Sequence, residues 1–214
     1  FGLDFAQLST EFPSLVLVSL TGFGQTGTWA QMPGHDVNFQ GLAGLLAPAA
    51  RQDGIPGLPA IPVADLAGGA LMAAFTIAAA LLQRERGGRG TYLDLSMTDG
   101  AATLAYPLLA TTLAASKPPP PGEDMLTGGH ACYGIYRCSD GRLLTLAALE
   151  PQFLAILRRE GGLTTSTPGR QVLEQLFASQ PRDHWVRCLA SACVAPLLEL
   201  DELLEKLKEK LEKQ

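Results

Sequence analysis

Basic residues are sparse and nowhere clustered. The 214-residue chain has 16 Lys and Arg against 21 Asp and Glu, for a net charge of −5 and a pI near 5.2. Binding to a nucleic-acid backbone needs cations gathered on one face, so that class of partner is excluded. The four cysteines, Cys132, Cys138, Cys188 and Cys193, include no C-x-x-C pair and sit among apolar neighbours. This predicts buried free thiols in a reducing, cytoplasmic compartment. Only three histidines occur, His35, His130 and His184, and none is spaced with carboxylates or cysteines as a zinc site requires, so no metal is expected. Also missing are the G-x-S-x-G nucleophile motif, the G-x-x-x-x-G-K-[ST] phosphate loop and the G-x-G-x-x-G dinucleotide spacing. Without them the Gly-rich "TGFGQTG" (residues 21–27) reads as a tight turn and not as a phosphate cradle. There is no internal repeat and no secretory leader pattern. The chain opens on Phe1 with no initiator Met, which predicts a start inside a domain.

At this size folding would bury roughly 70% of the unfolded surface, enough for a sizeable core. Punctuation divides the chain in two. Residues 1–116 hold an apolar strand candidate, "SLVLVSL", the Gly-rich turn, and a helix candidate beginning near Asn38. A long Ala/Leu run then follows Asp65, with the alternating strand "TYLDLSM" and a helix reaching Ser116 after it. Strands alternating with helices predict an α/β class. The run "KPPPPGED" (residues 117–124) cannot continue a helix and predicts a stiff linker. Beyond it, "CYGIYRC" and "LLTLAAL" flank "SDGR", whose Asp-Gly predicts a hairpin. Helices are predicted over 151–159, 170–179 and 182–190, giving a smaller α+β domain across 125–200. The tail "DELLEKLKEKLEKQ" (residues 201–214) predicts an amphipathic helix with Leu203, Leu204, Leu207 and Leu211 on its apolar side and opposite charges four apart.

Two stretches raise chemical questions. "LAGGALMAAFTIAAALL" (residues 66–82) is apolar but falls short of the about 20 residues that a membrane span requires, and it is flanked by Asp65 and Arg84. It predicts a buried core helix and no membrane. Asp65 at its start would cap free N–H groups at the positive end of the helix dipole, which alone would explain it. "MPGHDVNF" sets His35 beside Asp36 just before an apolar helix, a juxtaposition that local structure leaves unexplained.

The stretches "LTGFGQTGTWAQMPGHDVNFQGLAGLL", "PVADLAGGALMAAFTIAAALLQRERGGRGTYLDLSMTDGA" and "YGIYRCSDGRLLTLAALEPQF", in that order, resemble the family III CoA-transferase superfamily of the CaiB/BaiF type, and within it the α-methylacyl-CoA racemase branch. The resemblance runs to about Leu204. It implies part of a large domain, whose Rossmann-like half would precede these residues, followed by a small α+β domain. It implies His35 and Asp65 as two acid/base groups and Glu150, in "EPQF", as the residue that orients His35. Gly34, His35, Asp36, Val37, Asn38 and Phe39 would lie against the thioester and pantetheine end of coenzyme A. The implied partners are an acyl-CoA thioester and a second subunit in a homodimer, with no cofactor beyond the coenzyme A of the substrate. In the transferase branch the aspartate acts alone as a nucleophile, so His35 separates the two activities; a non-catalytic interaction module is a third possibility. Where racemases carry Gly-Gly-Ala-Pro this chain has "GGHAC", which leaves the acyl group open, and His130 reads as an ordinary polar residue at a strand start. The racemase chemistry suits these residue types. Inverting the carbon beside a thioester carbonyl needs a proton taken from one face and another delivered to the opposite face. The resulting enolate would be stabilised by N–H donors at the helix start, Asp65 and Leu66.

Overall fold

Residues 4–49 and 55–212 are described by the computed structural model. The chain divides between Gly122 and Glu123 into two units, each with its own sheet, and residues 117–124 contain no helix or strand ahead of and around that division.

In the first unit, α1 (Phe5–Glu11) starts where the Asp4 carboxylate accepts the Ala6 N–H at 2.9 Å. The apolar run then extends into β1 (Val16–Thr21), which pairs in parallel with β2 (Thr91–Ser96), from Val16 opposite Thr91 to Thr21 opposite Ser96. A parallel pair needs a helical crossover. Here it comprises α2 (Asp36–Leu42), a π-helical stretch (Ala64–Leu71) and α3 (Met72–Gly87), which ends on Gly88 in the left-handed region at φ 71°. Directly after β2, the Ser96 hydroxyl accepts the Asp99 N–H at 3.1 Å and starts α4 (Met97–Leu104); α5 (Tyr106–Ala115) follows. The alternation of strand and helix is the α/β class expected from the sequence.

The crossover helix departs from expectation in two ways. The helical run is continuous over Ala64–Gly87, 24 residues, and is long and apolar enough to cross a membrane by length and composition. It is also mostly uncovered, since Leu71 is 68% and Phe75 72% exposed. Among the described residues the sheet of this unit has two strands, and they leave these side chains uncovered.

The second unit follows the hairpin signal. β3 (Tyr133–Arg137) pairs antiparallel with β4 (Leu143–Ala147), and β5 (Val194–Pro196) adds to the far side of β4. Gly141 supplies the positive φ, 82°, that the "SDGR" turn demands. The helices α6 (Pro151–Glu160), α7 (Arg170–Ala178) and α8 (Arg182–Cys188) bury Leu157, Leu173, Phe177 and Trp185 against Tyr136, Leu144 and Leu146 of the sheet. The Trp185 indole N–H donates to the Phe177 carbonyl at 3.1 Å, so the one polar atom of that ring is satisfied in the core. Cys132 and Cys138 are buried here, and burial pushes the Cys138 thiol up to about 11. Cys188 and Cys193 are exposed, contrary to the burial expected of all four cysteines; their apolar neighbours in sequence turn inward while they turn out.

The last helix, α9 (Leu200–Leu211), is fastened to this unit through Glu202, which pairs with Arg182 and, at 3.9 Å, with Arg142. Arg182, only 5% exposed, donates to both carboxylate oxygens of Glu202, at 2.6 and 3.0 Å, and to the Leu197 carbonyl at 2.9 Å. The hydrogen bonds from Arg182 hold the Glu202 carboxyl down at about 2. Because that folded value lies below the unfolded one of about 4.3, the stabilisation is complete above the unfolded value and disappears as pH falls through the folded one. With Trp185 as the sole fluorophore in a Trp29→Phe background, the denaturant midpoint of this unit should be steady above about pH 5 and fall between about pH 4.5 and 2. Glu202→Gln should lower the midpoint at pH 6 and flatten that acid decline. An undiminished decline in Glu202→Gln would show that the pair contributes nothing.

Candidate active site

The Pro-Gly-His-Asp turn builds the site by handing extended chain over to a helix. His35 is the last extended residue (φ −127°, ψ 172°), and its N–H donates to the Asn38 Oδ1 at 3.0 Å. Its ring stays exposed at the helix start. Asp36 is the first helical residue and uses both oxygens. Oδ2 accepts the Gln40 side-chain N–H one turn on, at 2.5 Å, and Oδ1 accepts the backbone N–H of Asp65 at 3.0 Å. Below them the Phe39 ring, 3% exposed, fills the space left by two glycines. A Cβ at Gly22 or Gly34 would come within 2.4 or 2.7 Å of that ring. Phe23 meets it edge-on at 5.1 Å. One aromatic ring thus ties the Gly-rich loop, the Pro-Gly turn and α2 together.

The π-helical stretch places Asp65. Isolated π turns are uncommon and tend to occur where a helix is shaped for function. Its Gly68 lies directly on α4. A Cβ at Gly68 would sit 2.5 Å from the Ala101 N, and one at Gly100 would sit 1.9 Å from the Gly68 carbonyl oxygen. Backbone on backbone at this range holds the stretch without side chains and leaves Ala64 and Ala101 wholly buried. Asp65 follows Ala64 at the open end. Its Oδ1 is buried and has no hydrogen-bond partner among the described residues.

Two expectations are corrected by these contacts. Asp65 does not cap its own helix; the capping carboxylate is Asp36, reaching across from α2. Nor are the Asp65 and Leu66 N–H groups free to hold an enolate oxygen, because the first donates to Asp36 and the second to the Pro62 carbonyl at 3.0 Å. Of the six residues from Gly34 to Phe39, His35, Val37 and Asn38 are exposed, whereas Phe39 is floor and the Asp36 carboxylate is committed to Asp65 and Gln40. The Gly-rich loop is closed as a turn. Its Gly24 N–H donates to the Thr21 hydroxyl at 2.9 Å, and its Gln25 N–H donates to both Asp94 oxygens at 3.1 and 3.0 Å. His35 and Asp65 therefore lie in the first unit, linked through Asp36, and Glu150 lies in the second, exposed, as the residue preceding α6. His130 accepts the Cys132 N–H on Nδ1 at 3.1 Å within its own turn. Among the described residues no three His, Cys, Asp or Glu side chains gather as metal ligands would.

Sequence reasoning missed Gln40, Gly22, Gly68 and Gly100. Gln40 carried a signal, its position four residues after Asp36 on one helix face. The glycines carried none, since a glycine packed against backbone and a glycine in a flexible loop look alike in sequence.

The sequence model of CoA-transferase family III matches residues 1–211. Over 210 residues the chain is 34% identical to the alpha-methylacyl-CoA racemase of Homo sapiens, covering 92% of this chain and 55% of the racemase. It is 28% identical over 222 residues to the acetyl-CoA:oxalate CoA-transferase of Acetobacter aceti, covering 94% and 56%. The crystal structure of a CAIB/BAIF family protein from Brucella suis superposes with a TM-score of 0.75 at 24% identity, over 95% of this chain and 58% of that one. The chain thus spans a little over half the length of these relatives.

If the Asp36–Asp65 contact fixes the site, Asp36→Ala should destabilise the first unit by about 1–2 kcal/mol. Gly100→Ala should cost about 1–3 kcal/mol by overpacking against the Gly68 carbonyl. Urea unfolding followed by Trp29 in a Trp185→Phe background checks both. An unchanged midpoint in Asp36→Ala would remove that contact from the account.

Proposed function

Since the chain belongs to CoA-transferase family III, we propose that it acts as a racemase of the α-methylacyl-CoA kind, inverting the carbon beside the thioester carbonyl of a 2-methylacyl-CoA. The observation that carries this reading is the buried, unpartnered Oδ1 of Asp65, one hydrogen bond away from the His35–Asp36 pair. A buried carboxylate oxygen without a donor is costly in a fold and is the kind of exception found where a ligand completes the set. The identity to the human racemase supports the same choice.

In the proposed reaction one of the two groups, His35 or Asp65, takes the α-proton. The C–H bond breaks, its electron pair passes into an enolate on the thioester oxygen, and the other group delivers its own proton to the opposite face. Nothing is gained or lost overall, so the step calls for no redox partner, and coenzyme A remains part of the substrate. Asp36 positions and does not react, because both its oxygens are engaged. The same reading places the reaction in the cytoplasm, on acyl-CoA thioesters of lipid metabolism, in a homodimer and away from any membrane.

A transferase reading draws on the same free oxygen and on the likeness to the oxalate CoA-transferase. There Asp65 attacks the thioester carbonyl, the C–S bond breaks, the thiolate of coenzyme A leaves, and an acyl–aspartyl anhydride remains.

The full-length gene product should exchange the α-hydrogen of a 2-methylacyl-CoA with solvent deuterium. His35→Ala and Asp65→Asn should each slow exchange by about 10²- to 10⁴-fold. Glu150→Gln, tested beside them, should cost less and reports whether the second unit contributes. Transfer surviving in His35→Ala, with an anhydride trappable by hydroxylamine at Asp65, would replace the racemase with the transferase. Acyl-CoA binding with neither reaction would leave a binding module.

A further inference from the structure

Within the second unit, a pocket of about 380 Å³ opens between the Met125–Gly129 turn, β3 and the start of α7, and neither reaction above gives its residues a task. Its polar end is Arg170, the first residue of α7. That side chain is fixed from two sides. One Nη donates to the Gly128 carbonyl at 3.0 Å, and the guanidinium carbon lies 5.6 Å from the centre of the Tyr136 ring, a stacking that orients the planar group. Gly134 leaves it room, since a Cβ there would stand 3.4 and 3.5 Å from the two Nη atoms. The remaining N–H donors are uncommitted: Arg170 forms no ion pair among the described residues, not even with Glu174 one turn further along α7.

The walls beside this cation are apolar. Leu126 and Ile135 both line the pocket and are 46 and 56% exposed, and Tyr133 lies between them and the sheet. β3 is an edge strand, and the bonds of Cys132 with Ala148 and of Cys138 with Arg142 set Gly134 and Tyr136 as the positions bonded to β4. The Ile135 N–H is therefore directed to the open side, a second donor at the same edge. A planar carboxylate fits the fork of a guanidinium with both oxygens, and a short hydrocarbon behind it covers Leu126 and Ile135. Inorganic phosphate would satisfy the fork and leave the apolar walls bare, whereas a neutral hydrocarbon would cover the walls and desolvate the guanidinium without a counter-charge. We propose that this pocket binds a small aliphatic carboxylic acid, with Arg170 receiving the carboxylate. The proposal does not rest on the reaction assigned above, because all its residues lie in the second unit and none has a part in the proton or acyl transfer.

Methyl NMR of the full-length protein labelled at isoleucine tests it, with the Ile135 signal assigned by its loss in Ile135→Val. Hexanoate should shift that signal saturably, whether or not the protein shows racemase or transferase activity. The signal of Ile156, packed against the core of the same unit, should stay in place and shows that the unit is folded. Hexan-1-ol, the same body without the charge, and inorganic phosphate, the charge without the body, should each bind at least about 10-fold more weakly. Arg170→Gln should weaken hexanoate by about 10- to 100-fold. Arg170→Lys, which keeps the charge and loses the fork, should weaken it by less. No saturable shift at Ile135, hexanol binding as tightly as hexanoate, phosphate binding more tightly than hexanoate, or undiminished binding in Arg170→Gln would each overturn the proposal. The comparison of hexanoate with hexanol uses the unaltered protein and decides the matter even where a variant fails to fold.

Discussion

The hydrogen bond from the Asp65 N–H to the Asp36 carboxylate joins segments 29 positions apart. It fixes the Gly-His-Asp turn on the first residues of the Ala64–Gly87 helix, beside the packing of Phe39 with Ala64. Its acceptor is charged and lies at the positive end of a helix, which makes it stronger than a neutral pair would be. Gln40 fixes the second oxygen of the same carboxylate, so Asp36 has no freedom left. The result divides work between two acids of one sequence neighbourhood. One is saturated and holds the frame, and the other keeps a buried oxygen unoccupied.

The two units reach stability by different means. In the second, aromatic and aliphatic side chains from three helices close over one face of a small antiparallel sheet, the ordinary solution for a domain core. Among the described residues the first has a buried cluster of Phe39, Ala64 and Ala101, with Phe23, Ala43, Leu45 and Met97 against it. What replaces bulk there is close approach, with glycine against backbone at Gly68 and Gly100 and glycine against ring at Gly22 and Gly34. Such contacts permit little adjustment, which suits a place where α2 and the Ala64–Gly87 helix must present their starts together.

Much of the fold was legible in the sequence because its signals were local. Apolar runs marked β1 and β2, Asp-Gly marked the β3–β4 turn, and the prolines marked the stretch beside which the units divide. The helix near Asn38 was visible too, although it starts two residues earlier because Asp36 can hold its own first turn through Gln40. The π turns were not legible, since the same Gly- and Ala-rich composition serves either helix. Asp65 was mistaken for a cap because an acid at a helix start usually is one, and only the tertiary contact shows that Asp36 performs that task. His35 and Asp65 were reached through a family likeness and not through spacing; no rule of periodicity connects a turn to a helix start 29 positions on.

The parallel pairing of β1 with β2 carries a consequence for how the chain is made. Ser19 and Tyr92 hydrogen-bond across that pair at 2.9 Å although 73 positions separate them, whereas β3 and β4 meet across a single tight turn. Pairing over such a distance must pay loop entropy before any contact repays it, and such sheets form slowly. During synthesis β1 leaves the ribosome long before β2 exists, and the apolar Ala64–Gly87 segment that links them emerges in the interval, before this pair can close. Through that interval β1 waits without its β2 partner, and an unpaired strand edge is the circumstance in which chaperones engage and aggregation competes with folding.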